Sequence, residues 1–135
     1  MRITVEPREG FAVLHLRGEF DSLPCAFLRR GILALIRAGS FRIVLDLELV
    51  TFINSQALGA ILEASHVLAS CDGALVIARP SALCRKVVDR VGLERVIPVF
   101  DTAEQAGAAL LEEHEPEGRA RTARLRTSSS IRATW

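Results

Sequence analysis

Apolar and polar residues alternate along RITVE (2–6) and FAVLHLRG (11–18), with the turn-like PREG between them. This period-two pattern predicts two half-buried strands paired as an antiparallel hairpin at the edge of a sheet. The period then changes. In EFDSLPCAFLRRGILALIRAG (19–39), Asp21 and Ser22 are N-cap candidates and Pro24 suits a first turn. Leu28, Ile32, Leu35 and Ile36 recur at helical spacing, and Gly39 supplies the stop. FRIVLDLELVTFI (41–53) is dense in β-branched and aliphatic residues and predicts a central strand covered on both faces. A second helical stripe follows through Leu58, Ile61, Leu62, Ser65 and Leu68, ending near Cys71 to Gly73.

The remaining pattern repeats strand, turn and helix. ALVIA (74–78) predicts a short buried strand, and RPSALCRKVVDRVGL (79–93) a helix capped by Ser81. That helix presents Leu83, Val87, Val88 and Val91 on one face and stops at Gly92. VIPVF (96–100) predicts the last strand. DTAEQAGAALLEEH (101–114) opens a final helix with two overlapping capping boxes, Asp101 with Glu104 and Thr102 with Gln105. The order β-β-α-β-α-β-α-β-α predicts an α/β fold: a mixed sheet of about five strands, part antiparallel and part right-handed parallel crossovers, with helices packed on it. Residues 1–114 form one domain on this reading. The segment EPEGRARTARLRTSSSIRATW (115–135 with Trp135 last) has no sustained apolar periodicity and reads as a disordered tail.

Charge sharpens that division. Residues 1–115 carry 12 basic against 15 acidic side chains, while 116–135 carry 5 against 1. Arg119, Arg121, Arg124, Arg126 and Arg132, without interleaved aromatics, offer only a non-specific, salt-sensitive footing for nucleic acid, so no specific nucleic-acid partner is expected. Half of the 135 residues are hydrophobic, enough for a core. No run is long and apolar enough for a membrane span, and the N-terminal stretch lacks a signal-peptide layout, so a cytoplasmic protein is expected. Cys25, Cys71 and Cys84 are odd in number and widely spaced, which predicts small core residues rather than disulfides or a zinc site. His15, His66 and His114 are equally isolated in sequence. No metal and no cofactor are expected.

The chemistry concentrates in VTFINSQALG (50–59), where the strand period gives way to the helix period at Ser55. A serine there commonly caps the helix, its oxygen accepting a first-turn amide. Free amides and the helix dipole also stabilise an anion at that place by about 0.3–1 kcal/mol, so a phosphoryl group on Ser55 would be tolerated. Its charge of about −1.5 to −2 would change any surface resting on the loop. Hydrolysis is a poor alternative: INSQALG is not G-x-S-x-G, and His66 lies about three helical turns away. The phosphate-binding patterns G-x-x-x-x-G-K-[ST] and G-x-G-x-x-G are absent too.

Four blocks carry a resemblance: GEFD (18–21), IVLDLELVTFINSQALGAIL (43–62), GALVIARPSALCRKVVDRVGL (73–93) and VFDTAEQAGAAL (99–110). In this order, over roughly residues 2–112, the chain resembles the STAS domain, and within it bacterial anti-sigma factor antagonists. The resemblance implies a non-enzymatic component of a partner switch that controls transcription. Such a protein binds an anti-sigma factor that is also a serine protein kinase, is released when a loop serine is phosphorylated, and is reset by a phosphatase. The family motif runs Asp-Ser, then Ser or Thr, then Gly-Leu-Gly. Laid on this chain it places the phospho-acceptor on Ser55, with Leu58 and Gly59 matching, while Asn54, Gln56 and Ala57 depart from it. Asp21 falls on the family's acidic residue after the second strand. The implied partner-binding set is Asp21, Phe52, Asn54, Ser55, Gln56, Ala57, Leu58 and Gly59. Asn can cap as well as Asp, so the binding role survives the departure at 54. The alternative is an unphosphorylated STAS-like scaffold subunit of a signalling or lipid-transport assembly.

Overall fold

The computed structural model describes residues 2–114, so the expectation for the tail lies outside the described residues. β1 (Arg2–Arg8) and β2 (Phe11–Phe20) form the antiparallel hairpin, with Val5 opposite Leu14 and Gly10 turning the chain at φ +90°. α1 (Ser22–Arg37), β3 (Arg42–Ile53), α2 (Ser55–Ser70), β4 (Ala74–Ala78), α3 (Ala82–Val91), a 3₁₀ turn (Leu93–Arg95), β5 (Val99–Phe100) and α4 (Ala103–His114) follow. The five strands lie in the order β1-β2-β3-β4-β5, and every pair after the hairpin is parallel. β3 is therefore the middle strand, as its aliphatic run predicts.

Period-two alternation sorts each strand onto two cores. On one face Leu14, Leu16, Leu45 and Ile77 pack with Leu28, Ile32 and Ile36 of α1, Ala57, Ile61 and Leu68 of α2, and Cys84 and Val88 of α3. On the other, Val13, Val44, Val76 and Ala78 meet Ala106 and Leu110 of α4. Each large aliphatic side chain buried this way contributes about 1.5–3 kcal/mol. All three cysteines are buried and unbridged, in keeping with a packing role. α4 lies close to the sheet at Gly107, where an added Cβ would stand 2.1 Å from the Phe11 ring.

The helix ends follow the residue chemistry. Ser81 Oγ accepts the Cys84 amide at 3.2 Å, and Gly92 ends α3 in the left-handed region at φ +69°. Of the two capping boxes on α4, Thr102 supplies the bond, accepting the Gln105 amide at 3.0 Å. Asp101 instead lies 3.8 Å from Arg85. At α1, Asp21 occupies the N-cap position without a side-chain capping bond.

Three expectations are corrected. β3 is buried on both faces only from Ile43 to Leu47; beyond Asp46, opposite the last β4 residue Ala78, Glu48, Leu49, Thr51 and Phe52 are exposed because β4 has ended. The buried stripe of α3 runs through Cys84 and Val88, while Leu83 and Val91 face solvent, and Leu62 of α2 is exposed as well. The last strand shrinks to Val99–Phe100, since the 3₁₀ turn after Gly92 uses Leu93 and Ile97 as buried anchors and leaves Val96 outside.

Candidate functional site

β2 and β3 end in register: Phe20 pairs with Ile53, so the next residues, Asp21 and Asn54, begin neighbouring loops at the same edge of the sheet. Two register shifts insert extra residues into β3 on the way there, between the pairs His15–Asp46 and Arg17–Leu49 and again after Gly18–Val50. Val50 and Ile53 stay buried, whereas Leu49 and Phe52 turn out, 52% and 44% exposed. The topology thus brings Asp21, Phe52 and the start of α2 together.

Asn54 is extended at φ −119° and its side-chain oxygen accepts the Ala57 amide at 2.9 Å, which makes Asn54 the N-cap of α2. Ser55 is not the cap. It is the first helical residue and exposed, because the period switch read from the sequence falls one residue earlier in the backbone. The first turn of this 16-residue helix contains no acidic residue of its own, so its amide end favours an added anion.

The remaining predicted residues divide by burial. Gln56 and Gly59 are exposed, and Leu58, Asn54 and Asp21 are half-buried. Ala57 has no exposed surface, so its side chain packs beneath the loop and presents nothing outward. A glycine there would remove a core methyl group. Gln56 and Gly59 line an open cleft of about 430 Å³ with Cys25, Arg29, Ala60 and Glu63. Arg29 and Glu63 bridge α1 and α2 across it at 2.6 Å. The Cys25 thiol of α1 lies 3.1 Å from the Asp21 carbonyl and 3.6 Å from that of Gln56, so it reaches from the start of α1 to the first turn of α2. Burial pushes this thiol up from its ordinary pKa, so it is a structural donor and a poor nucleophile.

A second polar cluster had no counterpart in the sequence reading. His15 Nδ1 is 2.5 Å from Asp46 Oδ2, and its Nε2 is 2.7 Å from Glu6 Oε1. Arg79 donates to Asp46 at 2.6 Å and lies 2.9 Å from Glu48. Burial works against the Asp46 carboxylate, yet Arg79, the Glu48 amide and His15 together hold its pKa below the usual range. Partial burial likewise opposes a charged His15, and the bonds to Glu6 and Asp46 outweigh it and raise its pKa. One signal pointed here: a lone Asp inside the aliphatic run of the middle strand. Among the described residues, no group of three or more His, Cys, Asp or Glu side chains is placed to hold a metal ion.

Residues 2–106 match the family model of the STAS domain. BtrV of Bordetella bronchiseptica, named as a candidate anti-sigma factor antagonist, is 28% identical over 109 residues, covering 81% of this chain and 94% of that protein. RsfB of Mycobacterium tuberculosis, named as an anti-sigma-F factor antagonist, is 29% identical over 104 residues, covering 77% of this chain and 84% of that one. The anti-sigma factor antagonist SpoIIAA of Bacillus, in its unphosphorylated form, superposes with a TM-score of 0.67 at 25% identity, over 78% of this chain and 92% of its own. Its phosphorylated form gives 0.62 at 26% identity, over 78% and 96%.

Proposed function

The chain belongs to the STAS domain family, and from that premise we propose that it is an anti-sigma factor antagonist, a cytoplasmic regulatory binding protein rather than an enzyme. Its partner is an anti-sigma factor with serine kinase activity. Docking uses the loop after β3, with Phe52, Asn54 and Gln56, the first turns of α2 through Leu58 and Gly59, and the adjoining Asp21 loop. Phosphorylation of Ser55 ends the partnership, and a phosphatase restores it.

The observation that carries this reading is the position of Ser55: first in α2, exposed, and relieved of capping by Asn54. A hydroxyl engaged as a cap would be lost to the helix on modification; here the capping bond is independent of Ser55. The acid-free first turn favours a phosphoryl group electrostatically. That group then sets a charge of about −2 beside exposed Phe52, where desolvation of an apolar contact becomes unfavourable. Relatives bearing the antagonist name, one of them solved with and without phosphate, support the assignment.

The test is recovery of the protein from its native cells under gentle conditions. The expected companion is a kinase-fold protein, held by the unmodified chain and released by Ser55→Asp. Failure to recover any kinase-fold protein, with Asn54 and Ser55 substitutions leaving every partnership intact, would refute the proposal.

A further inference from the structure

We propose that His15 is a protonated latch that fastens the edge strand β1 to the middle strand β3, so that β1 loosens when the imidazolium gives up its proton. This inference is independent of the partner switch, because the latch and Ser55 share no contact.

The count of donors and acceptors around the ring requires its charged form. An ionised carboxylate only accepts, and a neutral imidazole has a single N–H. His15 meets a carboxylate oxygen with each ring nitrogen, Asp46 at 2.5 Å and Glu6 at 2.7 Å. With a neutral ring, one of these contacts would set a lone pair against a carboxylate. Both bonds are satisfied together only by the imidazolium. The proton does not reside on the acids instead, because each has a further cationic partner: Arg79 at 2.6 Å from Asp46, and Arg8 at 3.1 Å from Glu6.

The charged groups around the ring come from every neighbouring element. β1 contributes Glu6 and Arg8, β3 contributes Asp46 and Glu48, and the connection after β4 contributes Arg79. α4 contributes Glu104, which pairs with Arg8. Glu6 pairs directly with Val13 and so lies diagonally across the hairpin from His15, whose direct partner in β1 is Thr4, and Asp46 is the direct partner of His15 in β3. The latch therefore spans three strands. It also holds Arg79, a non-glycine residue at φ +49°, in a conformation that side chains rarely adopt. Among the described residues β1 is an edge strand paired with β2 alone, so losing the Glu6 bond acts on a strand held from one side. The ring is 30% exposed, which gives its proton a path to water.

The experiment is nitrogen NMR of the His15 ring in the full chain, together with amide hydrogen exchange of β1 between about pH 6 and 9. Expected are two protonated ring nitrogens at neutral pH and a midpoint above about 6.5. β1 exchange should accelerate beyond its intrinsic rise through that same midpoint, while β4 exchange does not. Glu6→Gln should lower the proton affinity of His15 several-fold, and His15→Gln should remove the extra step; Glu6→Gln suffices should His15→Gln not fold. A single neutral tautomer with a midpoint at or below about 6.5, or β1 exchange blind to both the titration and the substitutions, would overturn the proposal.

Discussion

The Asn54 side chain accepts the Ala57 amide at 2.9 Å, and that one bond decides what Ser55 is free to do. Because Asn54 closes the first turn of α2, the neighbouring hydroxyl has no duty in holding the helix. Asn54→Ala should cost about 1 kcal/mol of stability, and Asn54→Asp, an equal cap, should leave it within about 0.5 kcal/mol. Urea unfolding of the three proteins checks this; an unchanged midpoint for Asn54→Ala would place the cap elsewhere.

Ser55→Ala should then be nearly silent for folding, within about 0.5 kcal/mol, since the residue is exposed and caps nothing. Ser55→Asp adds an anion at the positive end of α2 and should hold stability or raise it by about 0.3–1 kcal/mol. Partner affinity should fall with Asp and persist with Ala. Titration calorimetry beside thermal unfolding separates the two effects.

The polar cluster predicts a stability optimum bounded on both sides. Asp46 and Glu6 have folded pKa values below their usual range, so their contribution is complete above the ordinary carboxylate range and fades as pH falls through the folded values. Glu6 is lowered first by its bond from His15. His15 has a raised folded pKa, so its contribution is complete below its unfolded value and is lost as pH rises through the folded one. Asp46→Asn, which removes a nearly buried charged acceptor from Arg79 and His15, should cost about 1.5–3 kcal/mol at neutral pH. It should also shallow the acid limb of stability measured by denaturant at a series of pH values.

Backbone contact makes Gly73 intolerant of a side chain. A Cβ there would stand 2.0 Å from the Phe41 carbonyl oxygen, which also accepts the Ala74 amide at 2.9 Å. Gly73→Ala must displace the β3–β4 pairing at its start and should destabilise by about 1–3 kcal/mol. Gly59→Ala meets open space on α2 and should stabilise by up to about 1 kcal/mol, so the pair of thermal midpoints moves in opposite directions.

How far the chain announces this arrangement depends on whether the physics is local. Alternation in RITVE and FAVLHLRG, the aliphatic density of β3, Ser81 as cap and Gly92 as stop are all local, and each is found in place. The resemblance at residues 43–62 pointed to the loop that the topology sets beside Asp21. Errors arose where a distant element decides. Leu83, Val91 and Leu62 fit an apolar helical stripe, yet α3 and α2 turn other faces to the sheet. The length of exposed β3 depends on where β4 stops, and no residue of β3 encodes that. His15, isolated in sequence, finds partners 9 and 31 residues away only after two strands align beside it. Ser55 was one residue from the true cap, because Asn and Ser serve equally well there and the backbone alone distinguishes them.

The central claim concerns the Ser55 hydroxyl, and intact-mass and peptide mass spectrometry tests it most directly. The protein is purified from its native cells and a portion is incubated with the co-purified kinase and ATP. The account predicts one added phosphoryl group, mapped to Ser55 and absent from Ser55→Ala. A kinase that is active on its own substrate yet leaves Ser55 unmodified would contradict it.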